Sequence, residues 1–204
     1  AVTQTGQAII KQSLVIVEQI HREMFNYHGE HPTVAGDTDS TMNNGEPIYN
    51  TLFGDRKIEW TKEEVAQFKK VANEICGKLN ERILDYVHSA FHTSVSRIEF
   101  KLETVFSHAA FIKPKHYCYR MVDKEGSYMV GAKKEWKVTG LDLRRNLLPK
   151  PIQKALQYAV FHGILEEWTN SQFQDYMSKQ YDEFIKMPIE NKSFQFTYKT
   201  PCDA

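Results

Sequence analysis

The chain has 204 residues. It lacks any run of about 18 apolar residues, so a membrane-spanning helix is not expected. Its start, Ala1-Val2-Thr3-Gln4, has no basic stretch followed by an apolar run, so no signal peptide is expected. It also lacks an initial Met, so it is expected to be processed or cut from something longer. Cysteine is scarce: Cys76, Cys118 and Cys202 are widely spaced and odd in number. They fit neither a disulfide framework nor a zinc ribbon, and they suggest reduced thiols in a cytoplasmic setting. No GxxxxGK[ST] loop, dinucleotide fingerprint or GxSxG elbow occurs, which removes support for those enzyme classes. Internal repeats and low-complexity stretches are lacking too. Hydrophobic residues at 41% and charged residues at 25% give a globular balance, which excludes a disordered chain.

Net charge is zero, yet its distribution is uneven. Between Lys113 and Lys154 there are eleven basic residues and four acidic ones, a local excess of seven positive charges. The rest of the chain carries the balancing negative charge. Such asymmetry is the mark of a polyanion partner or of a solvated charged face.

Periodicity places the elements. Ile10, Leu14, Val17, His21 and Met24 form one helical face between about Gly6 and Tyr27, with Gly29 and Pro32 ending it. Thr33-Val34-Ala35, followed by polar residues to Thr41, suggests a hairpin with Asp37 and Asp39 near its tip. Asn43-Asn44-Gly45-Glu46-Pro47 is turn chemistry. Thr61-Lys62-Glu63-Glu64 is a capping box opening a helix that carries Phe68, Ala72, Ile75, Leu79, Ile83 and Tyr86 and ends near Phe91. The period then changes to two. Ile98, Phe100, Leu102 and Thr104 alternate with Arg97, Glu99, Lys101 and Glu103, which predicts a strand with Glu103 on its polar face. Tyr117–Val122 and Trp136–Thr139 are further strands, with a turn at Asp123-Lys124-Glu125-Gly126. Helices follow from Pro149 or Pro151 and from about Phe173 to Ile185. The order lacks βαβ alternation and predicts an α+β fold.

Four constellations could carry chemistry. Gly36-Asp37-Thr38-Asp39-Ser40 crowds two carboxylates at a turn, an arrangement that a hard cation such as Mg²⁺ relieves. The same residues also fit a polar hairpin whose Asp side chains cap backbone N–H groups. Glu103 matters only if its strand lies beside that hairpin. Lys113-Pro114-Lys115-His116-Tyr117 and Leu143-Arg144-Arg145-Asn146 offer cations and an aromatic to a phosphate backbone. His88 and His92, at i and i+4, could hold zinc with a further ligand, but no Glu beside His88 completes a metalloprotease pattern.

Taken in order, these motifs resemble family B DNA-directed DNA polymerases. Gly36-Asp37-Thr38-Asp39-Ser40 matches the third palm motif, and Ala1-Val2-Thr3-Gln4-Thr5-Gly6-Gln7 is similar to the helix start before it. Glu103 is similar to the palm glutamate, and Lys115-His116-Tyr117 to a K-x-Y motif. Val138-Thr139-Gly140-Leu141-Asp142-Leu143-Arg144-Arg145 resembles the passage into the thumb. Pro149-Lys150-Pro151-Ile152-Gln153-Lys154-Ala155-Leu156 is similar to polymerases of T-even-like bacteriophages. Ala35 departs from the usual Tyr, Pro114 and His116 from basic residues, and Lys101 from an acid. The D-x-x-S-L-Y-P-S and K-x-x-x-N-S-x-Y-G motifs do not occur in this chain.

The resemblance implies an antiparallel palm sheet with flanking helices over residues 1–139, and the start of a helical thumb over 140–204, cut short after about Phe196. It implies template-directed nucleotidyl transfer with two Mg²⁺ ions about 3.5–4 Å apart. Asp39, then Asp37, would bind metal, and Glu103 would be the third catalytic carboxylate. Lys115 and Tyr117 would hold the primer end, while Arg144, Arg145, Lys150 and Lys154 would follow the duplex backbone. The implied partners are primer-template DNA, a deoxynucleoside triphosphate and a complementary N-terminal polymerase chain that supplies the missing motifs. The implied location is the cytoplasm, the host's if the chain is phage-encoded. The alternative is a catalytically silent DNA-binding or assembly module on a palm-like scaffold. A third reading is an unrelated small protein with a cation-binding hairpin.

Overall fold

The computed structural model describes residues 2–29, 32–36, 40–94, 96–141, 143 and 148–188. The chain divides into two compact units. The first comprises Ala1–Ser107 with Met121–Glu135, the second His108–Arg120 with Trp136–Ala204.

In the first unit, helix α1 (Val2–Phe25) buries Ile9, Ser13, Ile16, Val17, Ile20 and His21. This face is rotated from the expected one, because Ile10 and Leu14 are only half-buried. The expected stripe omitted Ser13, a polar residue at the centre of the true one. Its hydroxyl donates to the Ile10 carbonyl at 2.7 Å, so burial leaves the hydroxyl satisfied. His21 is satisfied likewise: its Nδ1 lies 2.8 Å from the Val17 carbonyl, which only accepts, so Nδ1 carries the proton. The helix stops before Gly29. Asn26 takes a left-handed φ of 50° and returns its N–H to the Arg22 carbonyl.

The Asn43–Pro47 stretch is more than a turn. Asn44 accepts the Glu46 N–H at 2.9 Å, and helix α2 (Glu46–Phe53) follows with proline in its first turn. Eight residues are too few for periodicity to reveal. Helix α3 (Lys62–Phe91) starts at the expected capping box, with both reciprocal bonds present. Val65, Phe68, Ile75, Leu79, Ile83 and Val87 form its buried stripe, and α3 packs against α1 and α2. Tyr49, Phe53, Trp60 and Phe68 meet as tilted and edge-on rings with centroids 5.4–6.2 Å apart.

Strands β1 (Thr33–Gly36) and β2 (Thr41–Asn43) pair antiparallel, with Gly36 opposite Thr41, and form a two-stranded sheet of their own. The predicted strand over 97–103 is a correction: residues 96–103 form no ladder. The alternation holds only from Glu99 on, with Phe100 and Leu102 half-buried on the core and Glu99, Lys101 and Glu103 exposed; Ile98, expected on the inner face, is exposed as well. Asn80 of α3 takes the place of a neighbouring strand. Its side chain accepts the Phe100 N–H at 2.7 Å and donates to the Phe100 carbonyl at 2.9 Å. Burial on one side makes the period of two; a ladder needs a partner strand as well.

Strand pairing begins at Thr104. Strands β3 (Thr104–Lys113), β4 (His116–Lys124) and β5 (Ser127–Tyr128) lie in that order, and β6 (Trp136–Thr139) also pairs with β4. The β4–β5 link has positive φ at both Glu125 and Gly126, the twist that a tight antiparallel hairpin favours. Asp123 caps this turn by accepting the Gly126 N–H at 3.1 Å. Its other oxygen meets the Lys69 ammonium at 2.8 Å, tying β4 to α3 through a largely buried ion pair.

In the second unit the outer halves of β3 and β4 carry β6, then helices α4 (Lys150–Leu165) and α5 (Asn170–Lys186). Ala155 and Ala159 are the buried residues of α4, and Trp136 stacks on Phe161 at 4.4 Å. A second capping box, Thr169 with Gln172, opens α5, which packs against α4 and has no fully buried residue. The fold is α+β, with antiparallel sheets flanked by helices. Among the described residues no helix is long and apolar enough to cross a membrane.

Candidate nucleic-acid interface

The β3–β4 link presents Lys115. Pro114 and Lys115 fill the turn between the strands, and Lys115 has a φ of 61°, a left-handed conformation normally left to glycine. His116 Nδ1 lies 3.1 Å from the Pro114 carbonyl, its acceptor across the turn. The Lys115 side chain is exposed, while β4 beyond it becomes buried from Cys118 onward.

Gly140 explains why this turn can be so tight. It follows β6, which pairs with β4 through Tyr117 opposite Thr139 and Cys118 opposite Val138. Gly140 has a φ of 65°, and a Cβ on it would sit 2.0 Å from the Lys115 carbonyl oxygen and 3.1 Å from the His116 ring. The Lys115-His116-Tyr117 and Val138-Thr139-Gly140 motifs are therefore neighbours in space, backbone against backbone.

Aromatic rings stand beside this turn. The Tyr117 ring lies 5.7 Å from Phe111 and stacks at 6.0 Å and 10° on Tyr119. The sequence reading missed Phe111 and Tyr119 as companions of Tyr117. Their signal was visible, since Tyr117 and Tyr119 are two apart and share one face of a strand.

Past Gly140, Leu143 is buried and its carbonyl accepts from Gln157 Nε2 at 2.6 Å, which fixes the chain to α4. Arg144 and Arg145 lie outside the described residues. Lys150 and Lys154 are exposed, one turn apart at the start of α4. No acid occupies the first turn of α4, so its macrodipole and both lysines present positive charge together.

At the far end of α4 an aromatic cluster forms. Tyr158 stacks on His162 at 3.9 Å and on Tyr176 at 5.3 Å, with Trp168 at 6.4 Å. Glu166 accepts from the Trp168 indole at 2.7 Å and meets His162 Nδ1 at 3.1 Å. The hydrogen bond from Trp168, then that from His162, hold the Glu166 carboxyl below the usual carboxylate range.

The carboxylate candidates stand differently. Asp37 and Asp39 lie outside the described residues; the strands that flank them do pair, as expected for a hairpin. Glu103 is exposed just before β3, and its carbonyl accepts the Glu125 N–H at 2.7 Å. His88 and His92 gain no further ligand: among the described residues no group of three or more His, Cys, Asp or Glu could hold a metal. The donors expected for Mg²⁺ are carboxylate oxygens, which suit a hard cation. In comparisons with known proteins the chain matches no family model and no curated protein.

Proposed function

We propose that this chain is the C-terminal palm part and thumb start of a family B replicative DNA polymerase, working with a complementary chain in template-directed nucleotidyl transfer. The observation that carries the reading is the junction of Lys115-His116-Tyr117 with Val138-Thr139-Gly140. Two motifs taken as family marks on sequence grounds meet backbone to backbone, as parts of one DNA-gripping surface would. The local excess of positive charge falls on the same stretch.

In this reading Lys115 meets a phosphate of the primer end, and Tyr117 packs on its sugar. Lys150 and Lys154, with Arg144 and Arg145, follow the duplex backbone without reading sequence. Asp39 and Asp37 hold Mg²⁺, and Glu103 adds a third carboxylate to the site. Mg²⁺ bound there supplies charge neutralisation at the phosphoryl oxygens and at the attacking 3′-oxygen.

A completing chain is supported by an open sheet edge in the first unit. Among the described residues β1 and β2 have no third strand, and 96–103 lies in no ladder, its Phe100 backbone held by Asn80. Open sheet edges accept added strands. The test is primer extension with Mg²⁺. This chain alone should give no product, and a chain bearing the D-x-x-S-L-Y-P-S and K-x-x-x-N-S-x-Y-G motifs should restore it. Extension by this chain alone refutes the need for that partner. A stable mixed complex without extension favours the silent scaffold.

A further inference from the structure

Residues 150, 154, 158 and 162 recur every four positions along α4 and so form one stripe, rising about 6 Å per step. The stripe reads Lys150, Lys154, Tyr158, His162: two cations, then two stacked rings. Tyr176 of α5 and Trp168 extend the rings sideways. Tyr158 is 45% exposed, so its ring is not simply core. Among the described residues no acid pairs with Lys150 or Lys154, and α4 itself contains no acidic residue.

A duplex backbone uses the two lysines and nothing more, because paired bases are stacked on each other and cannot reach Tyr158. An acidic peptide also needs only the lysines. A ligand that uses cations and flat rings on one line carries phosphates and open π faces together. We infer that the α4–α5 surface binds single-stranded nucleic acid, with the phosphates at Lys150 and Lys154 and an unpaired base on the Tyr158–His162–Tyr176 rings.

Two features suit that role. Glu166 holds His162 and Trp168 at once, so the platform is set before a base arrives. The same carboxylate makes the ring end acidic, which turns phosphates toward the lysine end. The inference rests on the nucleic-acid reading above for the polyanion, and it moves Lys150 and Lys154 from the duplex backbone to an unpaired strand, leaving the duplex to Lys115 and the arginines.

Fluorescence anisotropy at fixed salt tests it, using three labelled probes of equal length: oligothymidylate, an abasic deoxyribose-phosphate strand and a duplex. The intact chain should bind oligothymidylate about tenfold more tightly than the abasic strand, since one base–aromatic stack contributes on that order. Tyr158→Ala should abolish the preference, and Tyr158→Phe should keep it. The double variant Lys150→Gln, Lys154→Gln should weaken both single strands equally. Equal binding of thymidylate and abasic strands by the unaltered chain overturns the inference, and that arm needs no variant to fold. Competition by polyglutamate as effective as that by oligothymidylate overturns it in favour of an acidic peptide. Failed complementation with an intact thymidylate preference removes the polymerase reading and leaves this surface standing; the converse result removes only the surface.

Discussion

A Cβ atom at Gly140 would stand 2.0 Å from the carbonyl oxygen of Lys115. The strand after the β4–β5 hairpin thus closes on the β3–β4 turn with no room for a side chain. Gly140→Ala meets two penalties: that clash, with backbone as the obstacle, and a φ of 65° that L-residues avoid at about 1–2 kcal/mol. The denaturation midpoint should fall by at least the equivalent of the φ penalty, and duplex DNA binding should weaken with it. An unchanged midpoint would mean that Gly140 is not held against the turn.

Lys115 separates stability from binding. It has a φ of 61°, so Lys115→Gly should stabilise the turn or leave it unchanged. The same variant should reduce the slope of log affinity against log salt by about 0.9 for duplex DNA, one phosphate contact fewer. A more stable protein with an unaltered slope would remove Lys115 from the interface.

Asn80 is the partner strand that 96–103 lacks. Asn80→Ala deletes two hydrogen bonds to the Phe100 backbone and should cost about 1–3 kcal/mol. Hydrogen exchange at the Phe100 amide should quicken selectively. If a complementary chain adds a strand, amides of 96–103 should gain protection when it binds. One turn of α3 away, Gly77 has open space about its Cβ position and ordinary helical φ. Gly77→Ala should therefore stabilise by up to about 1 kcal/mol, a control showing that α3 tolerates substitution here.

Two thiols set a limit at high pH. Burial pushes the Cys76 thiol up, with Glu99 adding to the effect. Burial also pushes up Cys118, against a smaller opposing hydrogen bond involving the Ala110 backbone. Each thiol holds its proton more firmly folded than unfolded. Their contribution to stability is constant below the unfolded pKa of about 8.5 and is lost as pH rises from there through the folded pKa. Urea midpoints should fall above that pH, and Cys76→Ala should remove part of the slope. A flat midpoint in that range would show the thiols are not buried as described.

Much of the local structure was legible without coordinates. The Thr61–Glu64 capping box, the Glu125-Gly126 turn and the apolar period of α3 each rest on residues close in the chain, so near-neighbour physics suffices. Where neighbours did not decide, the sequence misled. Alternation at 99–103 reported one-sided burial and was taken as a ladder, while Asn80 supplied the missing hydrogen bonds from a helix. The buried stripe of α1 was misjudged because Ser13 satisfies its own hydroxyl within the helix. Asp37, Asp39, Arg144 and Arg145 remain known from sequence alone, since they lie outside the described residues.

What the residues determined by themselves is the α+β class, the four longer helices, the uneven charge and the motif set; α2 and the strand Thr104–Lys113 were not legible in them. Only the tertiary structure decided that Lys115 and Gly140 touch, that Lys69 neutralises Asp123, and that Tyr158, His162 and Tyr176 form one stack. Caps and periods depend on groups within about one turn of each other, which the chain fixes covalently. Contacts between distant residues depend on how whole faces bury, and that balance exists only once the chain has closed on itself.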